Sequence, residues 1–439
     1  MERTSLTEDY RIDWEPGVRG GVPVGANIVT ARGVDDSADN GAVIQRAIDK
    51  AFGLGGGAVV IPKGSYRVER TLRLKSGVVL RGAPGAVPTL EFNIPKDNIP
   101  KGGANSVKIA GKTGEWTSVH AHPRKGSHQI MVANSAAFQV GGIAEIQHGN
   151  DATVMFTKSK WDKDWANASV GQIVRIVGIS STTLHIDPPL YYDVRPDLQP
   201  VIRPLQPISN CGIEDLHLVR IDKSESNVID IKYADQVRLL LLHSKNTTKS
   251  HVRVEASLHC EIRRCQFTDA HRHDGGGHGY GVNLTRHTTA TLVEQCQFTR
   301  LRHAMMVQVG AIGNVFGYNT AKDAKSNHGH PLPDISLHGH YPAMNLFEAN
   351  TVGRVGFADY WGPVGPGNTL LNNTIGGEVR VADSSHGQNL IGNHWPRSAP
   401  KIDRGVQRTL VVGNNDDERG RRDLPKTLYR VATPNAWRA

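Results

Sequence analysis

Long apolar runs are missing from this 439-residue chain; no window approaches the ~18 consecutive apolar residues of a membrane-spanning helix. Its start, Met1-Glu2-Arg3, lacks the basic-then-apolar order of a secretion signal. The expectation is therefore a cytosolic protein, or one whose leader has been removed, in which case a secreted or periplasmic location is favoured. Cysteine is scarce. Cys211, Cys260, Cys265 and Cys296 fall in one segment, show no CxxC or Cys/His zinc spacing, and are too few for a disulfide scaffold. They read as buried thiols. Acidic residues are outnumbered, 42 against 51 basic, which gives a net charge of +9 and a pI near 9.3. A basic surface favours a polyanionic partner: nucleic acid, anionic lipid or acidic polysaccharide. No Lys/Arg block interleaved with aromatics is present, which counts against nucleic acid, and a membrane partner is not expected.

Glycine, by contrast, is abundant at 47 residues, many of them in Gly-Gly and Pro-Gly turns. That composition argues for many short strands rather than a helical bundle. From about residue 209 the chain repeats a short apolar strand followed by a turn. Cys260–Phe267, Thr291–Phe298, Asn314–Asn319, Asn345–Asn350, Thr369–Asn373, Asn389–Asn393 and Thr409–Asn414 are successive copies. Aligned on residues 265, 296, 319, 350, 373, 393 and 414, the steps are 31, 23, 31, 23, 20 and 21 residues. A strand-bearing repeat of this length with a recurring asparagine is a coil of a parallel β-solenoid. The asparagines at 319, 350, 373, 393 and 414 should stack as a ladder at a bend, with Cys265 and Cys296 at the same position earlier. The leucine-rich-repeat pattern and its helix are missing.

Upstream, Ile44, Ala47, Ile48 and Ala51 form a helical stripe, so residues 40–52 predict an amphipathic helix. An open solenoid end exposes core and strand edges, and this helix suits the role of its cap. Five regions follow: an N-terminal arm over 1–35, the cap and first coils over 36–115, a small β insertion over 116–200, the main coils over 201–418 and a basic tail over 419–439. Strands are expected in the insertion at 129–132, 142–146, 172–176 and 183–186. Trp161, Trp165, Tyr191 and Tyr192 lie in or beside it, either as local core or as sugar-stacking platforms.

The run Gly33-Val-Asp-Asp-Ser-Ala-Asp, then Val43-Ile-Gln-Arg-Ala-Ile48, then Gly-Gly-Gly-Ala-Val-Val-Ile-Pro-Lys-Gly-Ser-Tyr66 and Leu-Arg-Gly82 resembles the start of pectate-lyase-like right-handed parallel β-helix proteins. The resemblance implies an all-β right-handed parallel β-helix. It permits several reactions, since that superfamily includes polysaccharide lyases, glycoside hydrolases, uronan epimerases and phage tailspike depolymerases. Its members occur as monomers and as homotrimers, and both states remain open here.

Histidine is concentrated between His259 and His340, where the longest turns also fall. Long turns on a rigid solenoid are where binding groups are mounted. Equivalent positions in successive coils lie about 4.8 Å apart, so the segments Asp269–Tyr280, Arg300–His303 and Lys322–Tyr341 should be neighbours. β-Elimination of a polyuronate needs a cation on the carboxylate, a base for the C5 proton and an acid for the leaving oxygen. The candidates are His273 or His303 as base, Tyr280 as acid, and Arg302 with Arg272 on the carboxylate. His271, His278, His338, His340, Lys322, Asp359 and Tyr360 are candidate substrate contacts. Hydrolysis or glycosyl transfer would instead use two carboxyls, drawn from Asp269, Asp274, Asp334 and Asp359. A third possibility is carbohydrate binding or adhesion without catalysis. The pairs His271-x-His273, His328-x-His330 and His338-x-His340 leave Zn2+ open, and Ca2+ stays open with no ligands to name.

Overall fold

The computed structural model describes residues 11–21, 27–31, 39–96, 104–155, 158–358, 361–395, 399–415 and 426–429. Three parallel sheets of 12, 9 and 10 strands run the length of the molecule. Each coil contributes one strand to each sheet in turn. One coil, for example, is Glu261–Arg263, Gln266–Ala270 and Tyr280–Thr285, and the next is Leu292–Glu294, Gln297–Thr299 and His303–Val307. These strands pair in parallel with no register shift, Ile262 beside Val293 and Val282 beside Met305. This is the expected right-handed parallel β-helix. Val252, Val254, Val282, Leu284, Met305 and Val307 point into one continuous core, because side chains alternate along a strand. The residues between them face outward.

The corners explain the repeat. Ahead of each ladder residue sits one in the left-handed region: Arg264, Gln295, Tyr318, Ala349, Asn372, Gly392 and Gly413, at φ between 52° and 63°. This bend removes backbone groups from the sheet ladders, and the next side chain replaces the missing partners. The Asn319, Asn350, Asn373 and Asn393 amides each donate to the carboxamide oxygen one coil on at 2.9–3.2 Å. A second ladder, Asn314 to Asn345 to Asn368, marks the other end of the same strands. Phe267 stacks on Phe298 and Phe316 on Phe347, with centroids 5.2 and 5.0 Å apart. All four cysteines are buried free thiols, and Cys296 takes a ladder position, its backbone N–H donating to Asn319 Oδ1.

The helix Gly41–Gly53 buries Ile44, Ala47, Ile48 and Ala51 against the first coil. Each buried isoleucine there contributes about 2 kcal/mol. Beyond it, a Cβ on Gly57 would lie 2.2 Å from the Asn27 carbonyl oxygen, so only glycine lets these strands approach. The Gly33–Ser37 portion of the sequence signature lies outside the described residues.

Between the strands Val107–Ala110 and Ile208–Glu214 the chain leaves the helix and forms a seven-stranded antiparallel sheet. Its strands include Gln129–Val132, Ile143–His148, Val170–Ser180 and Thr183–Asp187. It also takes in Lys112–Thr113 and Val201–Gln206, beyond the 116–200 read from the sequence, because these two segments pair with each other. Trp161 and Tyr191 are buried, whereas Trp165 is 45% exposed. The sheet is fastened to the helix by fully buried Glu145, which meets His287 at 2.7 Å and Arg203 at 2.6 Å. Of the tail read at 419–439, only 426–429 is described; there Tyr429 pairs with Trp14 and donates to Glu294 at 2.5 Å.

Candidate functional site

A groove of about 970 Å3 lies on the outer face of the 10-stranded sheet. It runs parallel to the helix axis, from Asn105 at one end to Trp165 and Trp361 at the other. The lining follows from strand alternation. Asp230, Arg253, Asn283, Ser336 and Gly356 occupy one outward row, paired strand to strand or separated only by Met306. A parallel row, three residues earlier along the strands, carries Tyr280 beside His303.

At the middle of the groove Tyr280, Arg302, His303 and His338 converge. Arg302 Nη1 donates to the Tyr280 hydroxyl oxygen at 3.1 Å. The rings of Tyr280 and His303 are 5.4 Å apart, and those of His303 and His338 are 5.8 Å apart. Gly279 makes this possible, since a Cβ there would lie 2.7 Å from the Arg272 carbonyl oxygen and 3.2 Å from Arg302 Cβ. Arg302 is only 9% exposed, yet among the described residues it pairs with no carboxylate, and its Nε has no hydrogen-bond partner. Burying an unpaired cation is costly, so this arrangement is one that an arriving anion relieves.

The His303 ring is buried with one nitrogen on a backbone carbonyl. Burial, and then the charges of Arg302 and His338, hold its ring well below the ordinary histidine range, so it is neutral near pH 7. Its Nδ1 lies 2.7 Å from the Pro333 carbonyl oxygen. A carbonyl only accepts, so Nδ1 carries the proton and Nε2 keeps its lone pair.

The other candidates are placed differently. His273 has Nε2 on the Arg300 carbonyl at 2.9 Å, and His271 has Nε2 on that of Arg220 at 3.1 Å; neither lines the groove. Arg272 is held by Asp274 at 2.5 Å and by Glu225, outside the cluster. His278 places its ring nitrogens on Gly275 O and on Glu225, beneath the glycine-rich rim. Lys322 sits on the 9-stranded sheet, away from the groove. His340 packs edge-on to Trp165, with centroids 4.5 Å apart, and burial followed by the His338 charge pushes it down to about 4.

None of the described aspartates proposed for hydrolysis lines the groove. Asp269 pairs with Arg300 on the 9-stranded sheet. Asp334 accepts from the Gly353 amide at 2.7 Å and the Arg354 amide at 3.4 Å, which makes it a turn fastener. Asp274 is bound by Arg272, which holds its carboxyl down to about 2. Asp359 and Tyr360 lie outside the described residues.

Residues 29–135 match the family described as Rhamnogalacturonase A/epimerase, pectate lyase-like. The tailspike gp61 of Pseudomonas phage phi297 aligns with a TM-score of 0.59 at 12% identity, over 86% of this chain and 67% of that one. The chain shares the right-handed parallel β-helix fold, and its residues 29–135 are similar to the pectate-lyase-like family. Two further structures align at lower scores. The A-module of the Azotobacter vinelandii mannuronan C-5 epimerase AlgE4 gives 0.39 at 14% identity, covering 88% of this chain and all of that one. The gp54 tailspike of Acinetobacter baumannii bacteriophage AP22, solved with a capsular saccharide, gives 0.40 at 12%, covering 85% and 74%. No curated protein matches the sequence.

On this β-helix the wall formed by the earlier coils was not read from the sequence. Glu225, Asn227, Asp230, Lys249 and Arg253 line it. Asp230 meets Asn227 at 3.2 Å, Asn105 at 3.3 Å and Arg253 at 3.4 Å. The signal was present in the alternations Ile229-Asp230-Ile231-Lys232 and Val252-Arg253-Val254-Glu255, whose charged members must point outward. His328 and His330 line the groove from the long turn. Among the described residues no three His, Cys, Asp or Glu side chains converge as a metal site.

Proposed function

We propose that the protein is a carbohydrate-active enzyme that cleaves an acidic, uronate-containing polysaccharide by β-elimination in this groove. The observation that carries the reading is Arg302: a buried guanidinium that pairs with no carboxylate among the described residues, in contact with Tyr280 and adjacent in sequence to His303. The matched family's description supports a carbohydrate substrate, and the net charge of +9 supports an acidic one. Arg302 would take the uronate carboxylate and so make the C5 proton removable. His303 Nε2 accepts that proton. Tyr280 donates its phenolic proton to the leaving glycosidic oxygen as the C4–O bond breaks and the C4–C5 double bond forms. His273, tied to the Arg300 carbonyl, and Arg272, tied to Asp274 and Glu225, do not line the groove and take no part. Following the ultraviolet absorbance of the unsaturated uronate during incubation with a panel of acidic polysaccharides, with and without a chelator, tests this. Absorbance that stays flat while reducing ends accumulate would overturn it.

A second reading rests on Glu225 and Asp230, the only carboxylates among the described groove-lining residues. As a hydrolase the site would need one of them protonated. Burial raises the Glu225 carboxyl, but the hydrogen bond and charge of His278, with the charges of Arg272 and Lys249, outweigh this and hold it low. That is the wrong direction for a general acid, which leaves elimination the better supported reaction.

A further inference from the structure

The groove is chemically divided. On the N-terminal side of Arg302 its lining includes Glu225, Asp230, Lys249 and Arg253. On the C-terminal side, among the described residues, it includes no Asp, Glu, Lys or Arg; Gln308, Ser336, His338, Gly356, Ala358 and Trp361 take their place. The same end receives Trp165, among the described residues the one lining residue supplied by the inserted segment. This tryptophan is held in place, since Arg286 Nη2 donates to its carbonyl at 2.8 Å and Nη1 to that of Asn167 at 3.3 Å. Its ring stands edge-on to His340 at 4.5 Å and to Trp361 at 5.5 Å. Nearly half of it nevertheless remains open to solvent. A large, fixed, half-exposed indole at a groove end whose described lining residues include no Asp, Glu, Lys or Arg is a surface for the C–H face of an uncharged ring.

We infer that Trp165 and Trp361, with His340 behind them, form a subsite for an uncharged pyranose of the bound polymer. The inference rests on the reading of the groove as a polysaccharide site. The subsite lies toward the C-terminal coils, two strand spacings past His303, or about 10 Å along the axis. The substrate is then a heteropolysaccharide, with a uronate at Arg302 and neutral sugar on the side toward Trp361. A homopolymer of uronates would place a carboxylate against the indole, away from Lys249, Arg253 and Arg302, the lysine and arginine residues among the described lining.

Isothermal titration of the full chain with two probes tests this. One is an oligogalacturonate long enough to span the groove. The other has the same length, with uronates alternating with neutral hexoses. The mixed probe should bind more tightly. Trp165→Ala should weaken it by roughly tenfold, the order expected from re-exposing about half an indole, while leaving the oligogalacturonate unchanged. Trp165→Phe should recover most of the loss. No change on the mixed probe, an equal loss on both probes, or no binding of the mixed probe overturns the subsite. Because binding is read without turnover, parallel absorbance separates the two ideas. A selective Trp165→Ala effect without unsaturated product upholds the subsite and removes β-elimination. Product formation that Trp165→Ala leaves alone, with unchanged binding, does the reverse.

Discussion

Replacing Arg302 with methionine should make the protein more stable and less active. The side chain is 9% exposed and makes one hydrogen bond, to Tyr280 at 3.1 Å, with its guanidinium carbon 5.7 Å from that ring's centroid. Losing the bond costs about 1.5–3 kcal/mol, and losing the ring contact about 0.5–1 kcal/mol. Against this stand the desolvation of a cation with no carboxylate beside it among the described residues, several kcal/mol after relaxation, and about 1–3 kcal/mol for the unpartnered Nε. Methionine fills a similar volume and carries neither penalty. The balance favours the variant by about 1–2 kcal/mol in urea unfolding without saccharide. On an accepted polyuronate, kcat/KM should fall by about 10²–10³, the usual consequence of removing a donor to developing negative charge. Arg302→Lys should fall between the two, because it keeps the charge without the planar fork. A destabilised Arg302→Met protein with undiminished turnover would show that the guanidinium holds the fold and does not serve the substrate.

Two further expectations concern acid and the ladders. His251 is pushed down to about 3 and His340 to about 4, with His259 and His303 well below 6.5, burial being the first cause in each case. Above the unfolded value both states are neutral; as pH falls through 6.5 the unfolded chain takes protons the folded one refuses, so stability declines toward acid. The urea midpoint should therefore fall between about pH 7 and about pH 5, and a flat midpoint would contradict it; the acidic limb of kcat/KM should likewise lie below the ordinary histidine range. Asn350→Ala removes the acceptor of the Asn319 side-chain amide and the donor to both Phe316 O and Asn373 Oδ1, all at 2.9 Å. It should cost about 3–4 kcal/mol, against about 1 kcal/mol for half-buried Asn414→Ala at the last ladder position, and equal losses in chemical denaturation would refute the ladder's energetic role.

Reading the sequence recovers what repeats. Asn319, Asn350 and Asn373 recur because each coil must turn the same corner and satisfy the same freed amides, so a spacing count finds them. The second ladder at Asn314, Asn345 and Asn368 has the same steps of 31 and 23 residues and was open to the same count. Histidine density led to Tyr280, Arg302, His303 and His338, which do line the groove, but equally to His271 and His273, whose rings bond to carbonyls. Composition cannot separate the two groups, because an imidazole serves a turn as readily as a substrate. The Asp230 and Arg253 wall went unread because its residues are common charged types on ordinary alternating strands.

Periodicity by itself determined the solenoid, the capping helix and the ladder, since each is a local rule repeated along the chain. Only the tertiary structure decided that Arg302 pairs with no carboxylate among the described residues, that Asp334 is spent on two backbone amides, and that Trp165 reaches across from the inserted sheet. Those facts depend on which side chains from distant coils share a few cubic ångströms, and on what solvent is shut out there. Charge pairing and burial are properties of that shared space, and no single stretch of the chain encodes it.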